Sequence, residues 1–131
     1  MAGFSDYLED KVLDHVFGGS AYSAPGTLYV ALYTAAPSDT GGGTEVSGGS
    51  YARKSMAAMT VSGTSPTTAT NGAAVEFVTA TGAWGTVTHV GVFDAATSGN
   101  LLAWAALTAS KTVASGDVFR FDAGDLDITL A

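Results

Sequence analysis

No cysteine occurs among the 131 residues, which excludes a disulfide framework and any thiolate metal site. Basic residues are almost as scarce. Five Lys and Arg stand against twelve Asp and Glu, for a net charge of −7. Only Arg53 and Lys54 are adjacent, while Lys11, Lys111 and Arg120 are scattered. A nucleic-acid binder needs a basic face to neutralise phosphates, so nucleic acid is not expected as a partner. No apolar run approaches the ~20 residues of a helical membrane span. The acidic start, MAGFSDYLED, lacks the basic-then-apolar layout of a signal peptide. The expectation is a soluble, unprocessed protein that does not engage a membrane.

Catalytic groups are equally thin. His15 and His89 are the only histidines. His15 falls on the apolar side of a helical segment and His89 inside a buried-looking strand, so each reads as a packed histidine with a local hydrogen bond. There is no GxSxG elbow, no HExxH, no GxGxxG and no Gly-Lys-Ser/Thr. The acids Asp117, Asp122, Asp125 and Asp127 are close in sequence but do not follow the EF-hand pattern. They read as a solvated strand edge, where charge discourages unwanted pairing. The residues therefore point to a protein that is not an enzyme and needs no metal or cofactor.

What is abundant is glycine and short apolar runs. Seventeen glycines and a 47% hydrophobic composition suit short strands joined by many turns. The centre of the pattern is the stretch 84–107. Two apolar runs, 85–93 and 101–107, flank the turn-forming segment Asp94–Asn100. Strict alternation would put Val87, His89, Gly91 and Phe93 on one side and Val90 and Val92 on the other. Both sides are apolar, so both should be covered.

Residues 4–17 are the one convincing helix, with Ser5 as N-cap, Asp6 and Glu9 in the first turn and Gly18–Gly19 as the stop. Phe4, Tyr7, Leu8, Val12 and Val16 form one stripe, and Leu13 and Phe17 lie off it. Those two either cover the chain's own sheet or dock on a partner. The best strand is 27–34, and Pro37 ends it. Residues 37–50 are a long glycine-rich loop, and 51–61 form a second strand. Residues 62–72 read as a polar loop, 73–79 as a strand and 109–116 as a connector. The segments 117–122 and 125–130 are the last two strands. The expected fold is mainly β, a single domain over residues 1–131. An N-terminal helix is followed by an antiparallel β-sandwich or jelly-roll-like barrel of about seven strands. Phe4, Tyr7, Leu13, Phe17, Arg53 and Lys54 are the candidate partner contacts, the first four for their apolar surface and the basic pair for docking on an acidic surface.

Four segments in order, FSDYLEDKVLDHVFGG, TLYVALYTAAPSDTGGGTEVSGGSYAR, WGTVTHVGVFDAATSGNLLAWAAL and SGDVFRFDAGDLDITL, resemble a family of small structural proteins of tailed bacteriophages and prophages. Members are often labelled tail-fibre-like. The resemblance implies a non-enzymatic virion component on the outer surface of the particle, made in the host bacterial cytoplasm. Two roles follow. The first is a capsid decoration or cement protein, a homo-oligomer expected to be a trimer, contacting the major capsid protein or other virion proteins. The second is a tail-fibre or head-spike module binding a host-surface receptor, for which Tyr29, Tyr33, Tyr51 and Trp104 are the candidate rings.

Overall fold

A computed structural model describes residues 3–130. In chain order the elements are β1 (Gly3–Phe4), α1 (Asp6–Leu13), which runs into a π-helical turn at Asp14–Gly18, then β2 (Leu28–Ala35), β3 (Thr44–Glu45), β4 (Lys54–Met56), β5 (Thr60–Ser62), β6 (Thr67–Thr70), β7 (Val75–Glu76), β8 (Gly85–Phe93), β9 (Leu101–Val113), β10 (Arg120–Phe121) and β11 (Asp127–Leu130). All ladders are antiparallel. The main sheet has six strands: β1-β9-β8-β2-β3 in order, with β4 also on β2. A two-stranded ladder, β7-β10, and a three-stranded sheet, β5-β6-β11, complete the fold.

The mainly-β expectation with one short N-terminal helix holds, and two details change. The sheets are open, so the barrel reading is corrected. The described residues form eleven strands instead of about seven, and six of them are only two or three residues long. The expected strand 51–61 splits into β4 and β5, and β7 and β10 occupy only two residues each of the expected strands 73–79 and 117–122, pieces too short to show a period of two. β6 lies inside the segment read as a polar loop, and β3 inside the long glycine-rich loop. β9 runs on to Val113, through the segment read as a connector. The helix starts at Asp6, with Phe4 paired to Ala103 in β1.

The hairpin at 84–107 is the middle of the main sheet, as its two-sided apolar character required, but its faces are not the simple alternates. Val87 pairs with Lys111 and His89 with Ala106, so Thr88 alone lies opposite the four residues Leu107 to Ser110. This bulge turns the strand over. Val87 joins Val90 and Val92 on the inner face, while Phe93 faces outward with Ala31, Tyr33 and Leu101. A second register shift, between Val92 and Phe93, puts Leu101 outward and Leu102 and Ala103 inward.

Ser5 pins the helix at that second shift. It is 1% exposed, its Oγ donates to the Leu101 carbonyl, and its backbone N–H donates to Leu102 O at 2.8 Å. The same Oγ accepts from Leu8 N at 3.3 Å, which caps α1. One serine thus satisfies the first helical turn and two strand carbonyls.

The core lies between the inner face of the main sheet and the shorter strands. Val30, Leu32, Val87, Val90, Val92, Leu102 and Val113 meet Met56, Val75, Phe77, Trp84, Phe119, Phe121 and Leu126. Each fully buried Val or Leu contributes about 1.5–3 kcal/mol by the area it removes from water. Aromatic rings run through it: Tyr51 against Trp84 (5.3 Å), Phe77 against Phe119 (5.9 Å) and Phe119 against Phe121 (5.1 Å).

Candidate functional site

The outer face of the main sheet carries a cleft of about 420 Å³. Its floor is Tyr33, Phe93 and Leu101, its walls are Asp6 and Tyr7 of α1, and its rim is Asp39 to Gly43 with Glu45, Arg53 and Asn100. The floor is flat because Gly91 lies under it. A Cβ there would sit 3.0 Å from both Tyr33 and Leu101 side chains. The rim loop turns back on itself at Gly43 (φ +73°), where a Cβ would come within 2.8 Å of the Ala35 carbonyl. Asp39 is fixed from two sides: its Oδ1 accepts from Trp104 Nε1 at 2.9 Å, and its backbone carbonyl accepts from Asp6 N at 3.0 Å.

Glu45 and Arg53 on the rim belong to a clasp that Tyr51 closes from the core side. β3 and β4 share one edge of β2 and leave a gap opposite Leu32. Tyr51 fills it. Its hydroxyl accepts from Leu32 N at 3.0 Å and donates to Glu45 Oε2 at 2.7 Å. Arg53 grips Glu45 with two bonds, Nε to Oε2 and Nη2 to Oε1, both 2.9 Å. Its Nη1 donates to the carbonyls of Ala95 (3.0 Å) and Ser98 (2.8 Å) in the hairpin turn, and its guanidinium lies 3.6 Å over the Phe93 ring. The turn is closed by Asp94, which accepts from Asn100 N (2.7 Å) and Nδ2 (2.9 Å). A flexible-looking loop and a hairpin tip are therefore one polar unit.

Burial first, and then the Glu45 charge, push the Tyr33 phenol up to about 12 from its ordinary 10. Burial also raises Tyr51, with the Leu32 bond opposing and the Glu45 contact adding. The unfolded chain releases these protons near pH 10, whereas the folded chain keeps them. The folded state then binds more protons, so this contribution to stability is whole below about pH 10 and is lost as pH rises toward 12. The thermal midpoint should fall across that interval, and less steeply in Tyr33→Phe. Melting curves at stepped pH check it, and a midpoint in Tyr33→Phe that falls as fast as in the wild type would remove Tyr33 from the account.

The sequence-derived candidates separate into three groups. Leu13 and Phe17 are exposed and do not cover the chain's own sheet. Phe4 and Tyr7 are half-buried, and Tyr7 lines the cleft. Arg53 is engaged within the clasp and Lys54 is exposed on β4. Of the four candidate rings, Tyr29, Tyr33 and Trp104 share the outer face, whereas Tyr51 packs into the core on the other side. Asp6, Asp39, Glu45 and Asn100 also line the cleft, and no local sequence signal marks them as site residues. They lie in turns and short strands, where only the folded chain brings them together.

The chain belongs to a family of phage structural proteins. It belongs to the family described as Podophage GP4 fiber I protein gp80, whose model matches residues 3–129. A structural fibre family suggests a non-enzymatic protein. A search of curated proteins finds no match.

Proposed function

We propose that the chain is a non-enzymatic building block of the phage fibre apparatus, displayed on the outside of the particle. The family match over residues 3–129 carries this reading. The chemistry of the side chains supports it. His15 Nδ1 accepts from Tyr22 N at 3.0 Å, and His89 Nδ1 lies 2.8 Å from Thr88 Oγ1, so both imidazoles are held by local partners. The carboxylates of Asp94, Asp117 and Asp125 each accept backbone N–H groups that close turns. In a fibre, Tyr29 and Trp104 would be the rings open to a receptor. Tyr33 is buried, and Tyr51 is committed to the core.

One feature favours capsid decoration as a second reading: the exposed apolar end of the helix, Leu13, Val16 and Phe17, would serve equally to seat the chain on a shell protein. Gold-labelled antibody on intact particles separates the two. Label at the tail is expected. A dense coat of label over the shell would overturn the fibre reading in favour of decoration, and unlabelled particles would overturn both.

A further inference from the structure

The outward face of α1 and its π-helical turn divides into two halves. At its start, Asp6, Glu9 and Asp10 are exposed; at its end, Leu13, Val16 and Phe17 are exposed by 59%, 60% and 81%. The spacing puts Asp6, Asp10, Leu13 and Phe17 on one helical stripe. The ion pairs among the described residues use Glu45, Glu76 and Asp122, and none uses a carboxylate of this helix. The acidic half also continues into the cleft, where Asp39 adjoins Asp6.

The apolar end is held in place. Gly19 (φ 81°) terminates the helix, Ser20 N returns to Asp14 O at 3.1 Å, and Tyr22 N donates to His15 Nδ1. Tyr22 then meets Tyr7 edge-on at 6.5 Å. The Phe17 ring is presented from an ordered end, which lowers the entropy lost when a partner covers it.

We propose that this face docks on a different virion protein, one that offers an apolar pocket for Phe17 flanked by Lys or Arg side chains for Asp6, Glu9 and Asp10. The pattern argues against a second copy. Two such faces packed parallel would oppose carboxylates with carboxylates. Packed antiparallel, they would bury the carboxylates of each against Leu13, Val16 and Phe17 of the other, without a cation. A basic, apolar partner satisfies both halves, with the aromatic as anchor and the charges setting register and rate.

The proposal rests on the virion reading, and complementation tests the two separately. A phage lacking the gene is grown with the chain supplied in trans, and its copies per purified particle are measured by mass spectrometry. Wild type is expected in particles. Phe17→Ser should be incorporated roughly 30- to 100-fold less, the scale of an anchor residue. The double variant Glu9→Lys/Asp10→Lys should drop roughly tenfold, and Val61→Ser, at a comparably exposed residue on β5 (67%), should match wild type. Circular dichroism of the purified variants confirms folding, and because Glu9 and Asp10 are exposed the charge variant remains decisive if Phe17→Ser misfolds. Wild type missing from particles overturns the virion reading and the docking face with it. Wild type present with Phe17→Ser and the charge variant equally incorporated overturns the docking face alone. A wild-type dimer in sedimentation that Phe17→Ser converts to monomer overturns the choice of partner.

Discussion

Asn71→Ala is expected to destabilise the chain by about 3 kcal/mol, because a buried side chain gives up four hydrogen bonds worth about 1 kcal/mol each and only Gly124 N keeps a second partner, the Asn71 backbone carbonyl. Asn71 is 2% exposed. Its Nδ2 donates to the carbonyls of Ala73 (2.9 Å) and Asp122 (3.0 Å), and its Oδ1 accepts from Gly124 N (3.1 Å) and Leu126 N (2.9 Å). This one side chain therefore shapes the turn between β10 and β11 and joins it to the end of β6. A stranded buried group costs about 1–3 kcal/mol, and water entering the shortened site recovers part of the sum. Asn71→Asp should be no better at neutral pH. It keeps the two acceptor contacts but aims a carboxylate at the Ala73 and Asp122 carbonyls. Urea denaturation measures both, and a loss under 1 kcal/mol for Asn71→Ala would show that the turn holds itself.

Arg53→Ala should cost about 2–3 kcal/mol, less than a fully buried pair because Glu45 keeps some water. The arginine side chain is 9% exposed and that of Glu45 26%. Removing the guanidinium leaves Glu45 with the Tyr51 hydroxyl alone, frees the Ala95 and Ser98 carbonyls and uncovers Phe93. Arg53→Lys keeps the charge but not the planar fork, so it should recover less than half of the loss. A double-mutant cycle with Glu45→Gln isolates the pair. Wild-type stability in Arg53→Lys would mean that charge alone, and not the four-way geometry, holds the clasp.

These two residues mark where the sequence stops being legible. The hairpin could be read because Thr97-Ser98-Gly99-Asn100 has turn chemistry and lies between two apolar runs. The helix could be read from Ser5, its acidic first turn and Gly18–Gly19. Both are local signals. Asn71 sits in a Ser/Thr-rich stretch, and three of its four partners are some fifty residues away. Arg53 looked like half of a free basic pair because nothing nearby in the sequence announces Glu45 as its partner. Tyr51 looked like an available ring, although its hydroxyl completes a strand edge. The orientation of Val87 was lost for another reason. A bulge shifts the period by an amount that composition does not encode, so every residue before it is assigned to the wrong face. The exposure of Leu13 and Phe17 was undecidable for a simpler reason: apolar surface awaiting a partner and apolar surface folded inward have the same sequence.

The four residues Leu107 to Ser110 opposite Thr88 have a consequence beyond the faces they exchange. They separate the ladder into two stretches, Gly85–Val87 with Lys111–Val113 and His89–Phe93 with Leu101–Ala106, whose registers are set independently. A residue gained or lost within the loop changes its slack and leaves both pairings in phase, whereas the same change at Val90 would send Val92 or Phe93 to the opposite side of the sheet. The longest strand of the molecule thus contains its own expansion joint, and the tolerance for length variation is concentrated at the larger of the two places where the hairpin is already out of step.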